Sequence, residues 1–341
     1  FGSSRHIFFL LRALVCIQAI TVQTFRHQNT SNSDTMSSPA KGDGKGKGSQ
    51  PIRDSKIHNI IWPHFVRSEA QLEALRKLPF KAGDVMVATY PKCGTHWVHK
   101  ICTLIQEGHG LFFPMEFNPW DVVDGFQGKG EGKGNLRLED IPSPRAFGTH
   151  VPFDFLPQAL LDLNCPIVYV MRNPMDALVS YYHHSISNPD SVTPDSLEAF
   201  VTEFISGASS DRMVAFEGGA HYGGLVDHYR QYVEAAKQGR NIFLTSYEKL
   251  KASTHDEIKR MAKFLGKDLS DSEVDAIVGQ SSFKSMKTDA EEKAGADVAN
   301  VFFRKGERGS GEKELPPELA EKVAMAFDEP LADLAKEFWK L

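Results

Sequence analysis

The chain has 341 residues, 41% of them hydrophobic and 24% charged, which is enough apolar side chain to bury one large α/β core. Its net charge of −5 excludes the global basic field that holds DNA or RNA, so an anion site has to be built locally. Four cysteines, Cys16, Cys93, Cys102 and Cys165, show no C-x-x-C spacing; this argues against a zinc site or a disulfide frame and for a reduced, cytoplasmic setting.

The chain begins with Phe1, and its first methionine is Met36. Residues 7–22 form an apolar run broken by Arg12, short for a membrane span but of a length for a signal anchor. Two readings stay open for residues 1–35: an anchor, which would bring in a membrane and a glycosylation site at Asn29, or an extension upstream of a translation start at Met36. The second is preferred here. Residues 36–56, rich in Gly, Lys and Ser, lack the apolar groups needed to offset ordering entropy and are expected to be a disordered tail. The folded domain is expected over 57–341, opening with an apolar cluster of Ile60, Ile61, Trp62, Phe65 and Val66. A short helix capped by Ser68 follows.

The stretch 84–106 reads as a buried strand, a tight loop and an amphipathic helix. Gly94 allows close backbone approach, Lys92 supplies a point charge, and the N–H groups of Thr95, His96 and Trp97 would open the helix. Such a loop can hold phosphate or be an ordinary turn. It is not a Walker loop, since Lys92 precedes Gly94 and is followed by Cys93. Cys93, at a helix start beside a lysine, could have a lowered pKa and be open to thiol oxidation, although this is the less favoured reading.

Residues 111–120 are dense in aromatics and broken by proline, and are read as a loop. Phe113, Phe117 and Trp120, with Phe65, are candidate walls of an apolar acceptor pocket. Five glycines in 125–134 suit a mobile lid or a disordered excursion. His150 ends a short strand before a proline-bounded turn, where an imidazole can serve as general base. The apolar run 166–171 reads as a central parallel strand. It ends at Arg172, and Pro174 begins a helix that carries Ser180 eight residues on. Arg172 and Ser180 can share a phosphate, or can be an edge cap and a solvated hydroxyl. Helices are expected over 196–206, 225–237 and 253–265, a strand over 241–247, and an amphipathic helical tail over 318–341. Arg304, Lys305 and Gly306 lie in a charged, Gly-rich loop.

The loop Thr89-Tyr90-Pro91-Lys92-Cys93-Gly94-Thr95-His96-Trp97 resembles the opening loop of the cytosolic sulfotransferases that use 3′-phosphoadenosine 5′-phosphosulfate (PAPS). It departs from the family's TYPKSGTTW pattern at Cys93 and His96. Thr149-His150-Val151-Pro152, the Arg172 to Ser180 segment, Tyr247, the segment 281–286 and Arg304-Lys305-Gly306 are similar to the family's further motifs, in the family's order. The resemblance implies an α/β fold, a single domain with a central parallel sheet flanked by helices and a P-loop-like nucleotide site. It implies His150 as base, Lys92 on the leaving phosphate, and Arg172, Ser180 and the Arg304 loop on the 3′-phosphate; Ser180 is counted with the catalytic set. Tyr247, Ser281, Phe283 and Met286 would hold the nucleoside. The donor would be PAPS with no metal, and the acceptor a small phenol, alcohol, steroid or amine. Gly148 stands where the family often has Lys, Ser310-Gly311-Glu312 replace D-W-K, and the usual dimer motif is not recognisable. A homodimer by another surface is compatible with this. A nucleotide-binding relative without turnover and a small-molecule kinase are the alternative classes.

Overall fold

The computed structural model describes residues 55–58, 60–63, 66, 68–114, 138, 141–188, 191, 193–206 and 221–340. The 1–35 extension, nearly all of the 36–56 tail, the 125–134 stretch, Phe65, Phe117 and Trp120 lie outside them. Among the described residues no helix is long and apolar enough to cross a membrane.

A hairpin opens the fold, β1 (Ser55–Ile57) antiparallel to β2 (Ile60–Trp62). Trp62 is fully buried and its Nε1 donates to the Ile57 carbonyl at 3.1 Å. Helix α1 (Glu69–Arg76) begins as expected at Ser68, whose hydroxyl accepts from the Gln71 N–H. The centre is a parallel sheet of β3 (Val85–Thr89), β4 (His109–Pro114), β5 (Arg145–Thr149), β6 (Ile167–Met171) and β7 (Ile242–Ser246), ordered β4-β5-β3-β6-β7.

Every residue of β3, β5 and β6 is buried; β3 and β6 carry the apolar runs that strands covered on both faces require, while β5 also buries Arg145 and Thr149. On one face Val85, Val87, Ala146, Val168 and Val170 meet α2 (Thr95–Gln106), α8 (Thr254–Phe264) and α9 (Asp271–Gln280). On the other, Met86, Ala88, Phe147, Ile167, Tyr169 and Met171 meet α5 (Leu197–Ser206), α6 (Leu225–Lys237) and α13 (Pro317–Phe327). Each fully buried Val, Leu or Phe contributes about 1.5–3 kcal/mol. The remaining helices are α3 (Gln158–Asp162), α4 (Pro174–Ser187), α7 (Tyr247–Ala252), α10 (Phe283–Ala294), α11 (Ala296–Phe302), α12 (Ser310–Glu314) and α14 (Ala332–Phe338).

Three expectations change. Of the residues 111–120 read as loop, 111–114 belong to the edge strand β4, with an irregular register between Leu111 and Pro114 that accommodates the proline. The tail is not one helix. It breaks between α13 and α14 around Pro330, which lacks a donor and biases Glu329 away from helix. Tyr247 does not end a strand; it opens α7, with Ser246 as the cap.

β3, first of the sheet strands in sequence, lies at its centre, with the next two strands on one side and the last two on the other. The carboxyl ends of β3, β5, β6 and β7 share one edge, since Ala88 pairs with Thr149, Thr89 with Val170, and Met171 with Ser246. Such a switch point is where open α/β sheets take ligands. The opposite edge carries a buried ion pair. Arg145 Nε donates to both oxygens of Asp84 at 3.0 Å, and a guanidinium nitrogen also meets Asp84 Oδ2. The rest of the fork goes to the carbonyls of Leu138 and Pro79. Neither side chain is solvent-exposed.

Candidate active site

The turn from β3 into α2 holds two left-handed residues, Lys92 (φ 67°) and Gly94 (φ 99°). A Cβ at position 94 would stand 3.0 Å from the Tyr247 ring, so glycine serves both the backbone and the fit. The first intrahelical bond runs from the Val98 N–H to the Gly94 carbonyl. The N–H groups of Thr95, His96 and Trp97 therefore lead the helix and face its end. The Lys92 ammonium makes no ion pair among the described residues and sits 5.8 Å from the centre of the Phe302 ring. Burial lowers its pKa to about 7, with Arg172 and Arg304 adding to the effect. His96, whose ring is 5.0 Å from that of Phe302, is pushed well below its ordinary value by burial first and Lys92 second.

The reactive-thiol reading of Cys93 does not hold. The side chain points into the core, 3.4 Å from the Tyr229 hydroxyl, and burial pushes the thiol up to about 12. The helix start and nearby cations do not offset the loss of water around a thiolate.

His150 follows β5, at the tip beside Thr89. Its Nδ1 lies 2.9 Å from the Thr89 carbonyl, which can only accept, so Nδ1 carries the proton and Nε2 the lone pair. The Thr89 hydroxyl is 3.3 Å from the same nitrogen and 2.6 Å from the Thr95 hydroxyl, joining the base to the α2 loop. A buried chain braces the backbone here. Tyr169 O–H donates to His228 Nδ1 at 2.6 Å, and His228 Nε2–H donates to the His150 carbonyl at 2.8 Å. Burial lowers His150 to about 4, with Lys92 adding and the Thr89 bond opposing, so the ring is neutral near pH 7. The Tyr222 ring lies 5.5 Å away.

Arg172 leaves the end of β6. It donates to the Lys92 carbonyl at 2.9 Å and the Glu307 carbonyl at 3.0 Å, and lies 4.3 Å over the Tyr247 ring. Its Nε is buried with no hydrogen-bond partner among the described residues. Tyr229 accepts from the Arg172 N–H at 3.0 Å and donates back to its carbonyl at 2.8 Å. Asp176, in the first turn of α4, accepts from the N–H groups of Gly309 and Gly311 at 2.7 Å, so the Arg304 loop is pinned beside Arg172. Glu248 accepts from the Asn173 N–H at 3.0 Å, and burial raises its carboxyl to about 7. Ser180 is partly exposed on α4.

Gly306 (φ 67°) lies against Phe283, where an added Cβ would fall 2.3 Å from the ring. Phe283 itself is 36% exposed, an aromatic face beside the cation cluster. Ser281 is buried and its hydroxyl donates to the Ile277 carbonyl; Ser282, one residue on, caps α10, which carries Met286. Arg304 and Lys305 both pair with Glu314 on α12.

The structure thus brings Lys92, Thr95, His96, Trp97, His150, Arg172, Tyr247, Arg304 and Gly306 to one edge of the sheet, with Ser180 on the adjoining α4. Phe113 falls on β4. Tyr229, His228, Asp176 and Glu314 were not singled out from the sequence. Tyr229 and His228 lie within the amphipathic stripe of α6 and give no signal apart from that of a packed helix. Asp176, an acid in a first helical turn, could have been flagged as a cap. Among the described residues no group of His, Cys, Asp and Glu could hold a metal ion.

The family model described as Sulfotransferase domain matches residues 82–335. The chain belongs to the sulfotransferase family. Amine sulfotransferase from Oryctolagus cuniculus is 31% identical over 292 residues, spanning 82% of this chain and 92% of that protein. Sulfotransferase 1A1 from Canis lupus familiaris is 33% identical over 227 residues, 64% of this chain and 71% of its own length. Among solved structures, mouse sulfotransferase SULT7A1 complexed with PAP is similar with a TM-score of 0.67 at 27% identity, covering 82% of this chain and 95% of that one. Retinol dehydratase, solved with androsterone and PAP, shares the fold at 19% identity, with a TM-score of 0.59 over 80% of this chain and 87% of that one. The enzyme reading of the sequence stands on this family membership. The motif departures at Cys93, His96, Gly148 and 310–312 are features of this sulfotransferase's own sequence.

Proposed function

We propose that this sulfotransferase moves the sulfuryl group of PAPS to a hydroxyl or amine of a small acceptor. The observation that carries the reading is the convergence of Lys92, Arg172 and Arg304 at the carboxyl edge of β3 and β6. Their crowding, with burial, leaves the Lys92 ammonium near neutrality, and an anion would relieve it. The buried Arg172 Nε without a partner and the exposed Phe283 ring fit an adenine nucleotide with phosphates at both ends. Lys92, the N–H groups opening α2 and Thr95 would hold its 5′ end. Arg172, Ser180 and the Arg304-Lys305-Gly306 loop would hold its 3′-phosphate, and Trp97, Tyr247, Phe283 and Met286 would flank the nucleoside.

When bound, PAPS supplies the transferable sulfuryl group. The Thr89 carbonyl holds the His150 proton on Nδ1, leaving Nε2 to take the proton of the acceptor's hydroxyl or amine. Lys92 offsets charge at the phosphate end, and the rigid loop keeps both groups in place, so catalysis is positioning and electrostatics. The buried thiols of Cys93, Cys102 and Cys165 suit the cytoplasmic setting read from the sequence.

The test is transfer of labelled sulfate from PAPS by the full chain to a panel of phenols, steroids, alcohols and amines, with EDTA present. Transfer is expected. Binding of adenosine 3′,5′-bisphosphate without transfer to any acceptor would favour a binding protein over an enzyme. Phosphoryl transfer from ATP in magnesium would favour a kinase.

The Lys92 environment gives a pH dependence. In the free protein Lys92 loses its proton above about pH 7, and a bound dianion holds that proton to higher pH. Binding therefore takes up a proton, and Kd for adenosine 3′,5′-bisphosphate is expected to rise by up to about tenfold per pH unit between roughly pH 7 and roughly pH 9. Calorimetry in buffers of different ionisation heat reads this directly. A Kd flat across that range would remove Lys92 from the anion site.

A further inference from the structure

Glu314 is the shared partner of three basic side chains drawn from two parts of the chain. Arg304 Nη1 stands 3.0 and 2.9 Å from its two oxygens, and Lys305 Nζ stands 2.7 Å from Oε1. From α4, His183 Nε2 reaches Oε2 at 2.8 Å. Burial pushes the Glu314 carboxyl up, but the hydrogen bonds from Lys305, Arg304 and His183 outweigh it and hold it down to about 2. The carboxylate is thus ionised throughout the working range. Arg304 is near enough to Lys92 to lower its pKa, so its charge is felt at the sheet edge as well as by Glu314. The loop itself is fixed independently, by Asp176 on the N–H groups of Gly309 and Gly311.

A carboxylate and a phosphate monoester are rival anions for one guanidinium and one ammonium group. We propose that Glu314 is an internal competitor for the donor's 3′-phosphate, occupying Arg304 and Lys305 until that phosphate takes them. The inference rests on the assignment of those two cations to the 3′-phosphate. Glu314 keeps the loop's charges ordered before the nucleotide arrives and lowers the affinity for nucleotides that carry a 3′-phosphate. Nucleotides without one do not need the exchange. His183 meets the carboxylate from α4, so Glu314 keeps a partner after the two cations turn away. The pairs are partly exposed, which makes the exchange a modest effect and keeps it reversible.

The experiment compares the full chain with its Glu314→Gln variant by calorimetry against adenosine 3′,5′-bisphosphate and adenosine 5′-monophosphate. Glutamine keeps the shape and removes the charge. The variant is expected to bind the bisphosphate about tenfold tighter and the monophosphate within about twofold of the parent. Glu314→Asp, which keeps the charge on a shorter stem, is expected to fall between. A folded Glu314→Gln protein with unchanged or weaker bisphosphate binding overturns the inference, as does an equal gain for both nucleotides. Parent protein that binds neither nucleotide overturns the donor assignment and this inference with it. Parent binding without a gain in the variant sinks the inference alone.

Discussion

Replacing His150 by alanine is expected to lower kcat/KM for sulfuryl transfer by roughly a thousandfold, within the range of lost general acid–base catalysis. Over the same change, Kd for adenosine 3′,5′-bisphosphate is expected to move by less than about threefold. The reason is the division of labour at the edge of the sheet. The imidazole is tied to Thr89, whereas the Lys92 and Arg172 turns are tied to each other and to the Glu307 carbonyl. Deleting the ring therefore leaves the cation cluster standing. His150→Gln separates the two tasks an imidazole can perform, because an amide is polar but does not take a proton at neutral pH. It is expected to be as inactive as the alanine variant. Single-turnover rates and product-binding calorimetry on both proteins are the measurements. Turnover above about a tenth of the parent in either one would take the proton transfer away from His150.

Asp84→Ala is expected to destabilise the fold by about 3–5 kcal/mol, the cost of stranding a buried charge. Arg145 is wholly buried, and its fork is satisfied by one carboxylate and two carbonyls. The same carboxylate accepts from the Lys81 N–H, so the start of β3 loosens as well. For a domain of this size the loss corresponds to roughly 10 °C in Tm. The double variant Asp84→Leu with Arg145→Met removes both charges and is expected to recover much of it, since apolar replacement of a buried pair is often near neutral. Urea melts of the single and double variants decide the matter. A loss under about 1 kcal/mol for Asp84→Ala would mean that water reaches the guanidinium.

The strands and helices that frame the site were legible because their patterns are strong. Val85 to Ala88 and Ile167 to Met171 are unbroken apolar runs, and Pro174 after Arg172 marks the start of a helix that buries Ala177, Leu178, Val179 and Tyr181. β4 was not legible because an edge strand tolerates Gly110 and Pro114, which break the pattern a buried strand shows. Cys93 could not be judged from its neighbours in sequence. Its thiol turns inward to Tyr229, 136 positions along the chain, and burial outweighs the nearby Arg172 charge. The same holds for His228 and Glu314. Their roles come from contacts across the fold, and nothing in the local sequence distinguishes a helix histidine under His150 from one on a surface.

Residues late in the sequence brace the strand tips that frame the site. Ser246, at the tip of β7 just before Tyr247, donates to the Phe338 carbonyl, and Lys249 lies over the Phe338 ring. Asp176 reaches forward to Gly309 and Gly311 in the same way. A nascent chain that has emerged only as far as Phe302 would have the sheet and the Lys92 turn, but would lack the bonds of Asp176 to Gly309 and Gly311 and that of Ser246 to Phe338. In vectorial synthesis the nucleotide edge therefore waits for residues that follow the sheet by about 60 to 90 positions. Until residue 338 has cleared the ribosome, the crowded cations of Lys92 and Arg172 wait on a scaffold that has yet to close.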